Sequence, residues 1–304
     1  MANNNMEDGM AEGELAQSGE EGRMNPDEFV KSIDWRGSWI ESQNHRGKTD
    51  DPTKWDARAD QFAQRKRSSY SETFVKYLDL EPGETVFDMG CGTGEISLQI
   101  AEAGHDVISA DFSKRMLGYV KKDIEQSGLD NVRVVNMAWG DDWEKFGIVE
   151  NCVDVAVASR SIMVPDLWKT LERLSSVARH KVAVSLATGS TPADDFKLLE
   201  AVGRHPVNTH DDIYCVNMVY QMGYLPEVRY IKSDKKYEFS TLDDAFHDLT
   251  KRIPNITPEE ESITRDFLKE HVVESVDEKG NQIFKFDYSR ASDWAYISWR
   301  TDSR

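Results

Sequence analysis

The feature that most constrains how this chain folds is a glycine-rich turn that directly follows an apolar run. The run is Thr85–Met89, the turn reads Gly90-Cys-Gly-Thr-Gly94, and a segment with helical spacing begins at Glu95. Glycine lets backbone approach a ligand closely because it carries no side chain. The first turn of a helix offers N–H groups that have no intrahelical partner. The pattern therefore predicts a strand, a turn and a helix that together hold a nucleotide-like cofactor.

The spacing of the glycines narrows the choice of cofactor. A dinucleotide fingerprint reads G-x-G-x-x-G, whereas this turn reads G-x-G-x-G, which disfavours a nicotinamide dehydrogenase. Asp88 stands just before the turn, and Asp111 ends the second apolar run, where an acid can bind ribose hydroxyls. A turn that served only tight packing would not require both acids at these separations.

At these residues the chain resembles the class I S-adenosylmethionine-dependent methyltransferases. The resemblance is carried by Val86–Gly94 and Asp111–Leu117, and it extends more weakly from Trp55 to Arg300. It implies an α/β fold with a doubly wound, mostly parallel seven-stranded sheet, which is a Rossmann-like methyltransferase fold. It also implies S-adenosyl-L-methionine as the cofactor.

Apolar runs alternate with helical periodicity through the middle of the chain, which is typical of a parallel sheet wrapped by helices. The predicted strands there are Thr85–Met89, Asp106–Ala110, Val132–Met137, Val153–Ala158 and Val182–Leu186. The predicted organisation is a disordered acidic tail at 1–24, a helical arm or lid at 25–80, and the cofactor-binding domain at 81–304. Within the arm, one long helix is predicted from Trp55 to Leu78.

The C-terminal part departs from simple alternation. An extended segment is predicted from Glu227 to Phe239, and a helical insertion is predicted at about 240–282, before the last strand. Two capping boxes are predicted to open its helices. They pair Ser240 with Asp243 and Thr257 with Glu260. We expect this insertion to pack over the sheet edge or beside the substrate cleft.

Charge and composition argue against nucleic-acid, membrane and metal partners. The net charge is −18 over 304 residues, which argues against a nucleic-acid substrate. The short basic cluster Arg65–Arg67 is read as a solvated helix face. No apolar run reaches the length of a membrane span, and the polar, acidic N-terminus is not typical of a signal peptide. We therefore expect a cytoplasmic protein without a membrane partner. The three cysteines have no metal-ligand spacing, so no metal is expected.

The resemblance implies a set of cofactor-binding residues. The turn would lie against the amino-acid part of the cofactor, Asp88 would orient that part, and Asp111 would accept hydrogen bonds from the ribose hydroxyls. Phe112 or Met116 would pack on the adenine, although ordinary helix packing is an equal alternative. The remaining candidates follow the third and fourth strands, and the full set is Asp88, Gly90, Cys91, Gly92, Gly94, Asp111, Phe112, Met116, Ala138, Trp139 and Ser159.

Candidates on the acceptor side are less specific. Trp39 and Trp55 resemble an arm that covers the active site, and their rings would suit a flat acceptor or a cation. The alternative is that they dock helices on the sheet. Arg58 is a candidate partner for the cofactor carboxylate, and Arg160 is a candidate lining residue of the cleft. No catalytic residue is evident, and the weak candidates for a base are His210 and Tyr214.

The sequence thus predicts an S-adenosylmethionine-dependent methyltransferase that acts on a small-molecule acceptor by in-line displacement at the methyl carbon. One alternative is a protein or RNA methyltransferase. Another is a regulatory protein that binds S-adenosylmethionine without turnover. The identity of the acceptor atom and the oligomeric state stay open at this stage.

Overall fold

The computed structural model describes residues 25–46, 52–63, 67–189, 195–205, 209–233, 237–251, 253–277, 280–289 and 292–302. The predicted acidic tail and most of the basic cluster lie outside these residues. Contacts divide the chain into two units, Met1–Asp34 and Trp35–Arg304. The described part of the first unit, from Asn25 onward, contains one short helix, and the Asn25 side chain accepts a hydrogen bond from Asp27 N at 3.0 Å at its start.

The order of elements follows the predicted alternation. The helices are α1 (Pro26–Ser32), α2 (Trp35–Arg46), α3 (Pro52–Ala63), α4 (Ser69–Leu78), α5 (Glu95–Glu102), α6 (Lys114–Ser127), α7 (Leu167–Val177), α8 (Phe196–Ala201), α9 (Asp211–Gln221), α10 (Leu242–Thr250) and α11 (Pro258–His271). The strands are β1 (Val86–Met89), β2 (Val107–Asp111), β3 (Val132–Asn136), β4 (Val153–Ser159), β5 (Ala178–Ala187), β6 (Glu227–Ser233), β7 (Glu238–Phe239), β8 (Val272–Val276), β9 (Gln282–Phe286) and β10 (Ser292–Arg300). A short 3₁₀ helix spans Trp143–Phe146.

The main sheet has seven strands in the order β3-β2-β1-β4-β5-β10-β6. The four pairs β3–β2, β2–β1, β1–β4 and β4–β5 are parallel. Strand β10 is antiparallel to both β5 and β6. The predicted fold class, a mostly parallel seven-stranded sheet with flanking helices, is confirmed.

Alternate residues of the central strands enter two separate cores, because successive side chains of a strand point to opposite faces. Phe87 of β1 joins a core that includes Trp39 of α2 and Leu171 of α7. Val86 of the same strand joins a core with Phe74 of α4 and Ile100 of α5. Because both faces of the sheet are covered, the sequences of β1 and β4 are nearly continuous apolar runs.

The prediction of one helix from Trp55 to Leu78 is wrong, because the structure has two helices there. Helix α3 ends at Ala63, and α4 begins after Ser68. The Ser68 hydroxyl accepts from Ser71 N, and the Ser71 hydroxyl accepts from Ser68 N, which is a capping box. A box satisfies N–H groups that a continuous helix would bond internally, so it starts a new helix.

The insertion between β6 and β10 contains the two predicted helices and also a second sheet, in the order β7-β9-β8. The predicted extended segment is therefore two strands that belong to different sheets. The first capping box lies one residue later than predicted, since Thr241 pairs with Asp244, whereas the box of Thr257 and Glu260 is confirmed. The insertion shares a core of its own with Leu198 of α8. Among the described residues, no helix has the length and hydropathy needed to cross a membrane.

Candidate active site

The glycine turn lies at the carboxyl end of β1 and adopts left-handed backbone at all three glycines, with φ of +78° at Gly90, +57° at Gly92 and +87° at Gly94. The surroundings of the three differ. A Cβ at Gly90 would lie 2.3 Å from Ser161 Cβ, and one at Gly94 would lie 3.2 Å from Val120 Cγ2. A Cβ at Gly92 would meet no atom within 4 Å. Gly90 and Gly94 are thus required for packing, whereas Gly92 faces open space that a ligand can use.

Asp88 is the buried carboxylate that orders the turn. It is 1% exposed, and Ser97 Oγ donates to its Oδ2 at 2.6 Å. Burial raises the pKa of Asp88 to about 7, with a smaller contribution in the same direction from the charge of Asp111. Asp88 therefore joins the end of β1 to the first turn of α5, where a carboxylate also complements the helix dipole.

Asp111 lies at the end of the adjacent strand, β2, and is 5% exposed. Its Oδ2 accepts from Gly92 N at 2.9 Å, and its Oδ1 accepts from Ser113 N at 2.8 Å. Burial raises the pKa of Asp111. Asp111 therefore fixes the turn at Gly92 as well as standing where ribose hydroxyls are expected, and each carboxylate oxygen retains lone-pair capacity for a further donor.

The loop after β3 is fixed by hydrogen bonds within the loop and by bonds to the loop after β4 and to helix α7. Ala138 N donates to the Asp141 carboxylate at 2.8 Å, so this acid closes its own turn. Trp139 Nε1 donates to Ser161 O at 3.1 Å, and Arg173 Nη1 donates to Trp139 O at 2.6 Å. The ring N–H and the carbonyl of Trp139 are therefore occupied, and its half-buried ring can contact a ligand. Met116 is buried in α6, whereas Phe112 is half-buried.

At the carboxyl end of β4, Ser159 and Arg160 join a network around Tyr70. The Tyr70 hydroxyl lies 2.8 Å from Ser159 Oγ and 2.6 Å from Ser185 Oγ. Arg160 has φ of +56°, and its guanidinium lies 4.0 Å from the centre of the Tyr70 ring and 3.4 Å from Glu95. This left-handed conformation directs the Arg160 side chain toward α4 and α5, and strain of this kind is common at functional sites.

Helix α3 lies against the start of α6, next to Asp111. Ser113 Oγ donates to Asp56 at 2.5 Å, and Tyr119 Oη donates to Asp60 at 2.6 Å. On the same helix, the Arg58 guanidinium lies 5.1 Å from the centre of the Trp55 ring and is exposed. The predicted arm thus packs beside the candidate cofactor site, with Trp55 and Arg58 stacked on each other.

Three further candidates lie on α2 and at the start of α9. Trp39 is fully buried, and its ring N–H donates to Val164 O at 2.8 Å, so it docks α2 on the sheet, which was the alternative to a position in the cleft. Tyr214 packs edge-on against Trp39 with ring centres 5.6 Å apart. His210 is exposed and precedes α9 with φ of +47°. Neither weak candidate for a base is therefore held toward the glycine turn by a contact that the structure shows.

Sequence reasoning missed Ser97, Tyr70, Ser185 and Asp56, which complete the environment of the turn and the cleft. Ser97 carries a weak signal, since it lies in the first turn of the helix after the glycine turn. The others carry none, because their contacts join parts of the chain that are far apart. Among the described residues, no group of His, Cys, Asp and Glu could hold a metal ion.

Residues 80–238, more than half of the chain, match a family model described as a methyltransferase domain. The chain belongs to this methyltransferase family. The enzyme class and the cofactor predicted from the sequence, S-adenosyl-L-methionine, are confirmed at this level. The residues of the site fit that cofactor, because the turn leaves open space at Gly92 and two buried carboxylates stand beside it.

Similar proteins differ in the acceptors that their names give. An uncharacterized protein of Haemophilus influenzae is 29% identical over 60% of this chain and 68% of its own length. A malonyl-[acyl-carrier protein] O-methyltransferase of Pectobacterium atrosepticum is 29% identical over 42% of this chain, which spans about half of that enzyme (47%). A relative from Clostridium tetani, described as an uncharacterized RNA methyltransferase, is 24% identical over 49% of this chain. A solved candidate methyltransferase from Bacillus halodurans shares the fold, with a TM-score of 0.50 and 13% identity over 77% of this chain and all of its own.

Proposed function

We propose that this methyltransferase transfers its methyl group to a small-molecule acceptor. The observation that carries the proposal is the placement of α2 and α3. Helix α3 is bonded to the start of α6 through Asp56 and Asp60, and α2 is bonded to the loop after β4 through Trp39. Both helices therefore reach the carboxyl edge of the sheet, where the turn and the ends of β1, β2 and β4 meet. Helices at this edge support an acceptor that can be enclosed.

The charges beside this edge support the same proposal. Arginines at this edge are paired with acids, namely Arg115 with Asp60, Arg160 with Glu95 and Arg46 with Asp211, and the whole chain carries a net charge of −18. A polyanion such as RNA gains affinity mainly from basic contacts to its phosphates. The pairing of these arginines and the net charge of the chain disfavour it, although a relative is described as an RNA methyltransferase. The cytoplasmic location expected from the sequence stays a prediction.

In this proposal the glycine turn, Asp88 and Asp111 hold the cofactor. When bound, S-adenosyl-L-methionine supplies a methyl group that positive sulfur already activates. The open side of Gly92 accommodates the amino-acid part, Asp111 accepts from the ribose hydroxyls, and the half-buried rings of Phe112 and Trp139 cover the adenine. The protein contributes alignment of the acceptor and exclusion of water, which can supply much of the rate of a displacement.

The experiment supplies the purified full chain with S-adenosyl-L-methionine labelled in its methyl group, together with extract of the source cells. Small molecules, RNA and protein are then separated. We expect the label in the small-molecule fraction, and an Asp111→Ala variant should lose both labelling and cofactor binding by calorimetry. The matched control is Asp130→Ala, which removes an exposed acid elsewhere. Label confined to RNA or protein would refute the small-molecule proposal.

A further inference from the structure

Among the described residues, several side-chain polar atoms between α2 and α9 are buried without a hydrogen-bond partner, and they include atoms of Trp35, Gln43 and Asp212. Gln43 of α2 is 6% exposed and Asp212 of α9 is 7% exposed. Gln43 Nε2 and Asp212 Oδ1 are both inaccessible to solvent and have no hydrogen-bond partner within the part of the chain that the structure describes. Leaving a buried donor or acceptor unsatisfied costs about 1–3 kcal/mol for each group. Two such groups together point to a ligand that satisfies both.

Two contacts between α2 and α9 show where Gln43 and Asp212 lie. Arg46 Nη1 and Asp211 Oδ1 form an ion pair at 2.7 Å, and Trp39 contacts Tyr214 with ring centres 5.6 Å apart. Gln43 lies between Trp39 and Arg46 on α2, at intervals of four and three residues, so all three share the face turned to α9. Gln43 and Asp212 therefore lie in the same stretch of the interface between the two helices.

This stretch of the interface adjoins the carboxyl edge of the main sheet. Trp39 Nε1 donates to Val164 O at 2.8 Å in the loop after β4, and Thr209 N donates to Gly189 O at 2.8 Å just after β5. The glycine turn follows β1, which is the neighbour of β4. The unpartnered pair thus lies near the same edge of the sheet as the candidate cofactor site.

The two groups have complementary chemistry. An amide N–H₂ donates, and a carboxylate oxygen accepts. A hydroxyl group can satisfy both, because it carries one O–H and two lone pairs. One lone pair can accept from Gln43 while the other remains for attack on a methyl carbon. A neutral amine has a single lone pair, so an amine that accepted from Gln43 could not attack.

We propose that the methyl acceptor is a hydroxyl group that donates to Asp212 Oδ1 and accepts from Gln43 Nε2, with Asp212 as the base that takes its proton. The proposal rests on the proposed function and deepens it. Transfer forms a bond between the acceptor oxygen and the methyl carbon. It breaks the bond from that carbon to sulfur, whose electron pair stays on sulfur, and it moves the hydroxyl proton to Asp212.

The surroundings of Asp212 suit this role. Burial raises the pKa of Asp212, and the charge of Asp211 acts in the same direction, whereas hydrogen bonds from the backbone N–H groups of Ile213 and Asp212 and the charge of His210 act to lower it. Arg46 faces this end of α9 from α2, but it pairs with Asp211. The carboxylate of Asp212 therefore binds a proton more readily than an exposed acid would, which strengthens a base that must accept one.

Neighbouring acids supply a matched test that needs no acceptor. Thermal unfolding of the full chain is compared for Asp212→Asn and Asp211→Asn. Since Asp212 Oδ1 is buried without a hydrogen-bond partner among the described residues, Asp212→Asn should raise the unfolding midpoint, as expected for a residue that is kept for function at a cost in stability. Asp211→Asn breaks a buried ion pair, so it should lower the midpoint. A midpoint lowered in both variants would overturn the proposal, because Asp212 would then have a structural partner.

Two further readouts identify the acceptor group. A crystal structure of the full chain with S-adenosylhomocysteine should show one water oxygen within hydrogen-bond distance of both Asp212 Oδ1 and Gln43 Nε2. A direct bond between these two side chains would overturn the proposal. In the labelled small-molecule product, the ¹³C shift of the transferred methyl should be that of a methoxy group, and an N-methyl, S-methyl or C-methyl shift would overturn it.

Cofactor binding separates the two levels of the argument. Asp212→Asn should bind S-adenosyl-L-methionine as the wild type does, while its methyl transfer falls about 100-fold or more, the usual effect of removing a general base. If the wild type binds no cofactor, the proposed function fails. If it binds cofactor and labels a small molecule at an unchanged rate in Asp212→Asn, only the assignment of Asp212 and the hydroxyl fails.

Discussion

A methyl group added at Gly92 tests whether the cofactor approaches the backbone at the glycine turn. Gly92 has φ of +57°, and a Cβ there would meet no protein atom within 4 Å. Gly128 has φ of +66°, and a Cβ there would also meet no atom within 4 Å. It follows the last residue of α6, at the opposite end of this helix from Ser113. Gly92→Ala and Gly128→Ala therefore impose the same backbone change, and only the first fills the space proposed for the ligand.

The effect on stability follows from the backbone alone. A residue with Cβ pays about 1–2 kcal/mol in left-handed conformation, and replacing glycine recovers about 0.4–1 kcal/mol from the unfolded state. We expect each variant to lose roughly 0.5–1 kcal/mol of unfolding free energy, as the difference between these two effects. Urea unfolding without ligand measures it, and the two values should agree closely.

The effect on binding should differ between the two variants. Overfilling a close contact costs about 1–3 kcal/mol, which corresponds to a loss of roughly 5- to 150-fold in affinity. Calorimetric titration with S-adenosylhomocysteine should show this loss in Gly92→Ala and none in Gly128→Ala. Equal affinity in both variants would refute the reasoning, because the ligand would not then contact the turn at Gly92.

Three other variants test the structure around the site. Burial raises the pKa of Asp88 from 3.8 to about 7, so its contribution to stability is complete below about pH 4 and is lost as the pH rises to about 7. Urea unfolding of Asp88→Asn should lack this loss, which amounts to about 4 kcal/mol, and an unchanged pH slope would contradict it. Gly90→Ala should destabilise more than Gly128→Ala because its Cβ would overlap Ser161, and adding Ser161→Gly should restore part of the loss in the same unfolding assay, whereas no recovery would argue against the overlap. Asp60→Ala removes the hydrogen bonds from Arg115 and Tyr119, so hydrogen exchange within α3 should quicken while that of α5 stays constant.

The order of strands and helices up to β5 could be predicted because its signals are local. Helix α6 ends at Gly128 with φ of +66°, as glycine at that position indicates, and Ser113 caps its start. The beginning of β5 was not predicted, because the strand starts at Ala178, before the apolar run at Val182. Its first residues are charged, and Arg179 is held by Asp154 at 2.7 Å, a partner that no local pattern reveals.

Residue type and spacing predicted only part of the site. The glycines and the two acids follow from the motif, but the space around each glycine depends on Ser161 and Val120, which come from other elements. Residue type favoured His210 as a base. Burial singles out Asp212 instead, and burial depends on α2, which lies far away in the chain. Long-range packing thus decides which polar residues are functional candidates.

We expect the two buried carboxylates at the ends of adjacent strands to favour a cationic ligand at the turn. Asp88 and Asp111 are at most 5% exposed, and the pKa of each is raised by burial. S-adenosyl-L-methionine carries one positive charge more than S-adenosylhomocysteine, and that charge gains most when both acids are ionised. The ratio of the two affinities, measured by calorimetry, should therefore favour S-adenosyl-L-methionine more at pH 7.5 than at pH 5.5. Asp88→Asn should flatten this dependence, and a ratio that is equally steep in the variant would show that Asp88 does not sense the charge of the ligand.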